Sequence, residues 1–160
     1  MKIHYQSAVL FVEDIQRSRE FYESVLDQQI LMDHGLNVGY QAGFALWQRS
    51  SVEAALGQPL QPLTSPRFEL YFESEEMDEW FDRLTAAGAK FIHPIVEQPW
   101  RQRVLRVADP DGYIVEIGEP LPAVIRRLIH EGLTPEDIAK QMYMPVEVVQ
   151  QLVQVPSEKI

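Results

Sequence analysis

The chain has 160 residues, 46% of them hydrophobic and 10% aromatic, which excludes a wholly disordered protein. Its length suits one core that buries roughly two thirds of the unfolded surface. Twenty-four acidic against fourteen basic side chains give a net charge of −10, the wrong sign for a generic ligand of nucleic acid or anionic membrane, and the lack of cysteine removes disulfides, thiolate metal sites and cysteine nucleophiles.

In chain order, Met1 to Gln6 lacks the apolar stretch of a signal peptide, and no apolar run is long enough to span a bilayer, so the expected location is the cytoplasm. Ile3 to Val12 reads as a buried strand. Asp14 follows as a helix N-cap, with Ile15, Ser18, Phe21, Tyr22, Val25 and Leu26 on one helical stripe. Gln29 to Met32, Asn37 to Ala42 and Phe44 to Trp47 are strand candidates. Residues 50–66, with three prolines, read as a linker that Ser50 and Ser51 could open with a short helical turn. The pattern then restarts: a strand from Phe68 to Phe72, then a helical stripe of Met77, Trp80, Phe81 and Leu84 closed by Gly88. The strands Ala89 to Ile92, Gln102 to Val107 and Tyr113 to Ile117 follow. Asp109-Pro110-Asp111-Gly112 is a tight-turn signal whose residue types need no catalytic role.

Strand, helix and three strands thus occur twice, at a period of about sixty residues, in modules near 3–49 and 67–119. One such module leaves an apolar sheet face uncovered. Two modules side by side give an α+β fold: a cupped, mixed eight-stranded sheet with helices outside and a cleft inside, the concave kind of place that ligands prefer. After Pro120 the texture changes to three helices over residues 120–160. Gly132 stops the first, Thr134-Pro135-Glu136-Asp137 starts the second, and Pro145 opens the third.

Three segments carry a family resemblance. Val9-Leu10-Phe11-Val12-Glu13-Asp14-Ile15, with Ser18, Phe21, Tyr22 and Leu26, is the first. Phe68 to Phe72 leading to Arg83-Leu84-Thr85-Ala86-Ala87-Gly88 is the second. Gln98-Pro99-Trp100-Arg101-Gln102-Arg103 followed by Asp109-Pro110-Asp111-Gly112-Tyr113-Ile114-Val115-Glu116-Ile117 is the third and most specific. Over residues 3 to 119 the chain resembles the vicinal oxygen chelate superfamily, the glyoxalase/bleomycin-resistance/dioxygenase group. That group spans metal-dependent isomerases, dioxygenases, thiol transferases and metal-free drug-binding proteins, so the resemblance implies the fold and leaves the chemistry open.

The resemblance implies a ligand quartet at Ser7, Trp47 (or Gln48 with a one-residue slip), Glu69 and Glu116. The first of these positions usually holds histidine; here it is Ser7, and His4 faces the other side of a regular strand. Two carboxylates without an imidazole suit Mg²⁺ or Mn²⁺ better than zinc or iron. Without metal, two buried carboxylates close together would raise one pKa, and one of them could serve as general acid or base. Trp47 offers a flat apolar face for a planar ligand, or is simply a core tryptophan. Tyr71 should share the sheet face of Glu69. Trp100 stands before a strand, and Arg103 or Arg101 could clamp an anionic group or pair with one of the many acids. Arg101 stands where related sequences typically have glycine.

The terminal helices resemble a degenerate helix-turn-helix. Leu133 to Ile160 holds four acids (Glu136, Asp137, Glu147, Glu158) and two bases (Lys140, Lys159), net −2, so the basic footprint of a DNA reader is missing. A packing role is preferred. The reading that follows is a metal-free small-molecule binder, with Ser7, Trp47, Tyr71, Trp100 and Arg103 lining the cleft. It has no cofactor, binds neither nucleic acid nor membrane, and by resemblance forms a homodimer. The alternative is a lyase, isomerase or dioxygenase-like enzyme that uses Glu69 and Glu116, with Gln48 as a third candidate ligand, around a divalent ion (Mg, Mn, Ni or Zn).

Overall fold

The structure is a computed structural model, and it describes residues 3–62, 64–65 and 68–154. The chain falls into two compact units: Met1–Phe68 with Ala108–Tyr113, and Glu69–Val107 with Ile114–Ile160.

The first unit holds β1 (Ala8–Val12), α1 (Ile15–Arg19), β2 (Ile30–Asp33), β3 (Asn37–Tyr40), β4 (Phe44–Gln48) and α2 (Arg49–Leu56), with a π-helical stretch over Glu20–Val25 continuing α1. Its mixed four-stranded sheet has the order β1-β4-β3-β2, with β1 parallel to β4 and the other pairs antiparallel. Asp14 caps α1 as the sequence predicts, its Oδ1 accepting from the amides of Gln16 at 2.9 Å and Arg17 at 3.2 Å. The predicted stripe is the buried one: Ile15, Ser18, Phe21, Tyr22 and Leu26. The first strand is shorter than expected. Residues 3–7 lie outside β1 and, apart from half-buried Ser7, are exposed, so the β-branched and aromatic texture of Ile3 and Tyr5 is not matched by burial. Segment 50–66 does open helically, as Ser50 and Ser51 allow, but over more than a turn: α2 runs to Leu56 and ends at Gly57, in the left-handed conformation.

The second unit holds β5 (Glu69–Glu73), α3 (Met77–Ala86), β6 (Lys90–Glu97), β7 (Arg103–Ala108) and β8 (Ile114–Gly118). It also holds α4 (Leu121–His130), α5 (Pro135–Gln141) and α6 (Val146–Leu152). Its sheet has the order β5-β8-β7-β6, with β5 parallel to β8. The eight strands of the α+β fold are therefore carried as two four-stranded sheets. β6 runs on through Pro94, which an edge strand tolerates because one side of its backbone needs no ladder partner.

The turn at 109–112 is structural. The Asp109 carboxylate accepts from the amides of Asp111 at 2.9 Å and Tyr113 at 2.8 Å and from the Tyr22 hydroxyl at 2.8 Å, while Gly112 takes a φ of +90°. Burial pushes the Asp109 pKa up against these hydrogen bonds, and it pushes the Tyr22 hydroxyl up as well. The three terminal helices make a core of their own from Val124, Ile125, Leu128, Ile138, Ala139, Met142 and Val149. Thr134 caps α5 by accepting from the Asp137 amide at 3.2 Å, with Pro135 in the first turn, as predicted.

Candidate functional site

Each sheet has one face with exposed side chains, and the alternation of each strand decides what stands there. In the first unit Leu10 and Val12 are buried, whereas Val9 and Phe11 are exposed. Phe11 is registered with Trp47 and Val9 with Ala45, so Trp47 shares the outer face. The Phe11 and Trp47 rings meet edge to face at 6.4 Å. Ser7 precedes β1 in phase with Val9 and is half-buried. Gln48, the alternative to Trp47, is engaged elsewhere. Its Oε1 accepts from the Ile15 amide at 2.9 Å and its Nε2 donates to the Glu13 carbonyl at 2.5 Å, which ties β4 to the start of α1. A cavity of about 290 Å³ in this unit has Phe11, Arg49, Leu60 and Tyr113 in its lining, and none of the sequence-predicted site residues. The Arg49 guanidinium there is already bound to Glu13, Glu53 and the Leu60 carbonyl.

In the second unit Glu69, Tyr71 and Glu73 alternate along one face of β5, and Tyr71 is registered with Glu116 of β8. The two predicted carboxylates do converge, and what they converge on is Arg106. Its Nε donates to Glu69 Oε2 at 3.0 Å, and its Nη2 forms an ion pair with Glu116 Oε2. Apart from that guanidinium no donor reaches Glu116 Oε2 among the described residues, and Glu116 is only 5% exposed. His93 closes the group. Its Nδ1 donates to the Pro94 carbonyl at 2.8 Å, which leaves Nε2 to accept from Arg106 Nη1 at 3.1 Å.

Beside this group lies a second array. The Trp100 indole donates to Gln102 Oε1 at 2.9 Å. Gln102 Nε2 donates to the Tyr71 hydroxyl at 2.8 Å and to the Glu119 carbonyl at 2.7 Å, and Tyr71 donates to Glu73 Oε1 at 2.9 Å. Burial, reinforced by Glu73, pushes the Tyr71 hydroxyl up to about 12. A Cβ on Gly118 would lie 3.0 Å from both Gln102 Nε2 and Tyr71 Cε2, so any larger residue would press these two side chains out of this arrangement. Tyr71 and Trp100 still keep 46% and 37% of their surface exposed. Arg103 does not stand free for a ligand. It pairs with buried Glu119, which also takes Arg127 at 2.9 Å. Burial alone would raise the Glu119 pKa, but the two guanidinium groups outweigh it and hold it below the usual carboxylate range.

The sequence thus pointed to Glu69, Glu116, Tyr71 and Trp100, and missed the two residues that join them, Arg106 and Gln102. The one signal was their spacing: Gln102, just before the seventh strand, and Arg106, within it, are an even number of residues apart, hence in phase. The family-implied metal can be tested against the donors themselves. A serine hydroxyl, an indole or a committed amide, and two carboxylates that share one guanidinium make a poor set for a divalent ion. Among the described residues no group of three or more histidine, aspartate or glutamate side chains is placed to hold a metal. Nor is any helix among them long and apolar enough to cross a membrane.

A family model described as a glyoxalase-like domain matches residues 5–122. No curated protein matches the chain. A solved structure of a protein of unknown function from Agrobacterium tumefaciens str. C58 is 36% identical, covers 75% of this chain and 96% of its own, and has a TM-score of 0.67. A glyoxalase-related enzyme from Fulvimarina pelagi is 26% identical, with coverage of 72% and 88% and a TM-score of 0.61. A lactoylglutathione lyase from Agrobacterium tumefaciens shares the fold at 22% identity, with coverage of 71% and 91% and a TM-score of 0.54. The family model spans most of the chain, and with the twice-repeated strand and helix order it establishes that the chain belongs to the glyoxalase-like domain family.

Proposed function

We propose that this protein binds a planar small molecule and does so without a divalent metal at Glu69 and Glu116. Arg106 carries the reading. Its guanidinium lies against both carboxylates, and an arginine stays charged at any relevant pH. A metal entering there would have to displace a permanent, covalently tethered cation. The half-exposed rings of Tyr71 and Trp100 supply flat apolar surface, and their hydrogen bonds to Gln102 hold the two rings in place for a ligand. Glu69, Glu73 and Glu116 outnumber Arg106 on this face, which favours a neutral or cationic ligand over an anionic one. In the first unit, Ser7 and Trp47 are the side chains offered to a ligand. In this reading residues 1–119 are the binding domain and residues 120–160 a packing extension, and the protein works as a cytoplasmic homodimer.

The competing reading, a lyase, isomerase or dioxygenase-like enzyme built on Glu69 and Glu116, needs those carboxylates released from Arg106. Calorimetric titration with Mn²⁺, Mg²⁺, Ni²⁺ and Zn²⁺ separates the two. We expect no tight stoichiometric binding, and thermal-shift hits among planar compounds that weaken in Tyr71→Ala and Trp100→Ala. One tightly bound ion per chain, lost in Glu69→Ala/Glu116→Ala, would overturn the proposal.

A further inference from the structure

Arg101 has a backbone φ of +70°, in the left-handed region that side chains other than glycine rarely adopt. It belongs to the hairpin turn between β6 and β7, where its amide donates to the Gln98 carbonyl at 2.8 Å. An unfavourable backbone conformation persists only where the surroundings hold it, and here the holding groups are specific. Arg101 Nε donates to Glu97 at 2.6 Å, Nη1 to Gln141 of α5 at 2.5 Å, and Nη2 to Glu131, the residue that closes α4, at 3.0 Å. Its carbonyl accepts from Arg127 of α4 at 2.6 Å. The planar guanidinium thus spans three separate segments at once, which a flexible ammonium would not do.

The neighbours of Arg101 in the chain are Trp100 and Gln102, which together with Tyr71 form the aromatic and amide array. A second route runs beside the first: the Glu119 carbonyl accepts from Gln102, while the Glu119 carboxylate is held by Arg103 and by Arg127 of α4. The terminal helices draw their apolar core from themselves, so polar side chains make a large part of the named bonds that join them to this hairpin.

We propose that Arg101 is a positioning residue, a latch by which α4 and α5 set the orientation of Trp100 and Gln102. The terminal helices then act on the ligand-facing array rather than merely covering a surface. The functional consequence rests on the ligand-binding reading above; the latch itself is tested without any ligand.

The discriminating variant is Glu131→Gln/Gln141→Ala, which takes the charge from one helix-side acceptor, removes the other and leaves the hairpin sequence intact. It is made in full-length protein carrying Trp47→Phe and Trp80→Phe, so that Trp100 alone emits. We expect amide hydrogen exchange across residues 121–152 to rise at least fivefold. Trp100 emission should shift, and its quenching by acrylamide should change. Arg101→Gly is the second variant. Glycine suits the left-handed turn, so the hairpin should still form, and the same exchange increase is expected. Unchanged exchange in both variants would overturn the latch. Faster exchange with unaltered Trp100 emission and quenching in Glu131→Gln/Gln141→Ala would overturn the coupling. Loss of all planar-ligand binding in the parent protein would instead strike the ligand-binding reading and leave these readouts as they are.

Discussion

Replacing Arg106 by leucine tests the interaction on which the functional reading turns. In the native protein the side chains of Glu116, Arg106 and Glu69 are 6%, 23% and 37% exposed. Leucine strands Glu116 Oε2 in a buried place that no other donor reaches among the described residues. Removing one partner of a buried ion pair costs about 3–5 kcal/mol, and the partly exposed guanidinium argues for the lower end. The Glu69 contact adds about 0.5 kcal/mol at most, because a carboxylate more than one third exposed is well screened. A loss of about 3 kcal/mol lowers the melting temperature of a domain this size by about 6–12 °C. Thermal and urea unfolding at pH 7 measure it. Arg106→Leu/Glu116→Leu should recover most of the loss, since an apolar pair of similar volume needs no buried charge compensation. The cycle then gives a coupling of about 2 kcal/mol. A penalty below about 1 kcal/mol for Arg106→Leu, with no coupling in the cycle, would refute the reasoning and leave Glu116 available to other partners.

Gly118→Ala should cost about 1–3 kcal/mol, as overpacking does, and alter Trp100 emission, because the added methyl meets Gln102 and Tyr71 at 3.0 Å. Tyr71→Phe should lose about 1 kcal/mol of stability through its two hydrogen bonds. In the native protein Tyr71 titrates near 12, above the usual tyrosine range. Its contribution to stability is therefore complete below about pH 10 and is lost as pH rises through 12, which absorbance at 295 nm follows against Tyr71→Phe. Glu119 shifts the opposite way. With its pKa held below the usual carboxylate range by Arg103 and Arg127, its contribution is complete above about pH 4.5 and lost as pH falls through the lowered value. Acid unfolding should therefore be shallower in Glu119→Gln, and an identical pH profile would exclude the role. Gln48→Ala should cost about 1 kcal/mol in thermal unfolding, because the start of α1 loses two bonds to β4.

What the sequence by itself determined was set by local chemistry and periodicity. The Asp14 cap, the stripe from Ile15 to Leu26, the Asp109–Gly112 turn and the Thr134-Pro135 start each depend on residues a few positions apart. The doubled order of strand, helix and three strands follows from the same short-range signals, and three motif segments within it carried the family resemblance. Strand phase likewise put Glu69 with Tyr71 on one face, whereas Ser7 and Trp47 became candidates only through the family resemblance. Exposed Ile3 and Tyr5 show the limit, because β-propensity describes fitness for a half-buried surface and cannot say whether a surface is there to pack against. The tertiary structure alone decided which charges meet. Arg106 reaches Glu69 across 37 positions and Arg101 reaches Gln141 across 40, and in a chain with fourteen bases and twenty-four acids no local rule selects those pairs. Two candidate carboxylates could therefore be read from the chain, whereas the guanidinium that pairs with both came only from the order β5-β8-β7, which sets the three side chains on neighbouring strands.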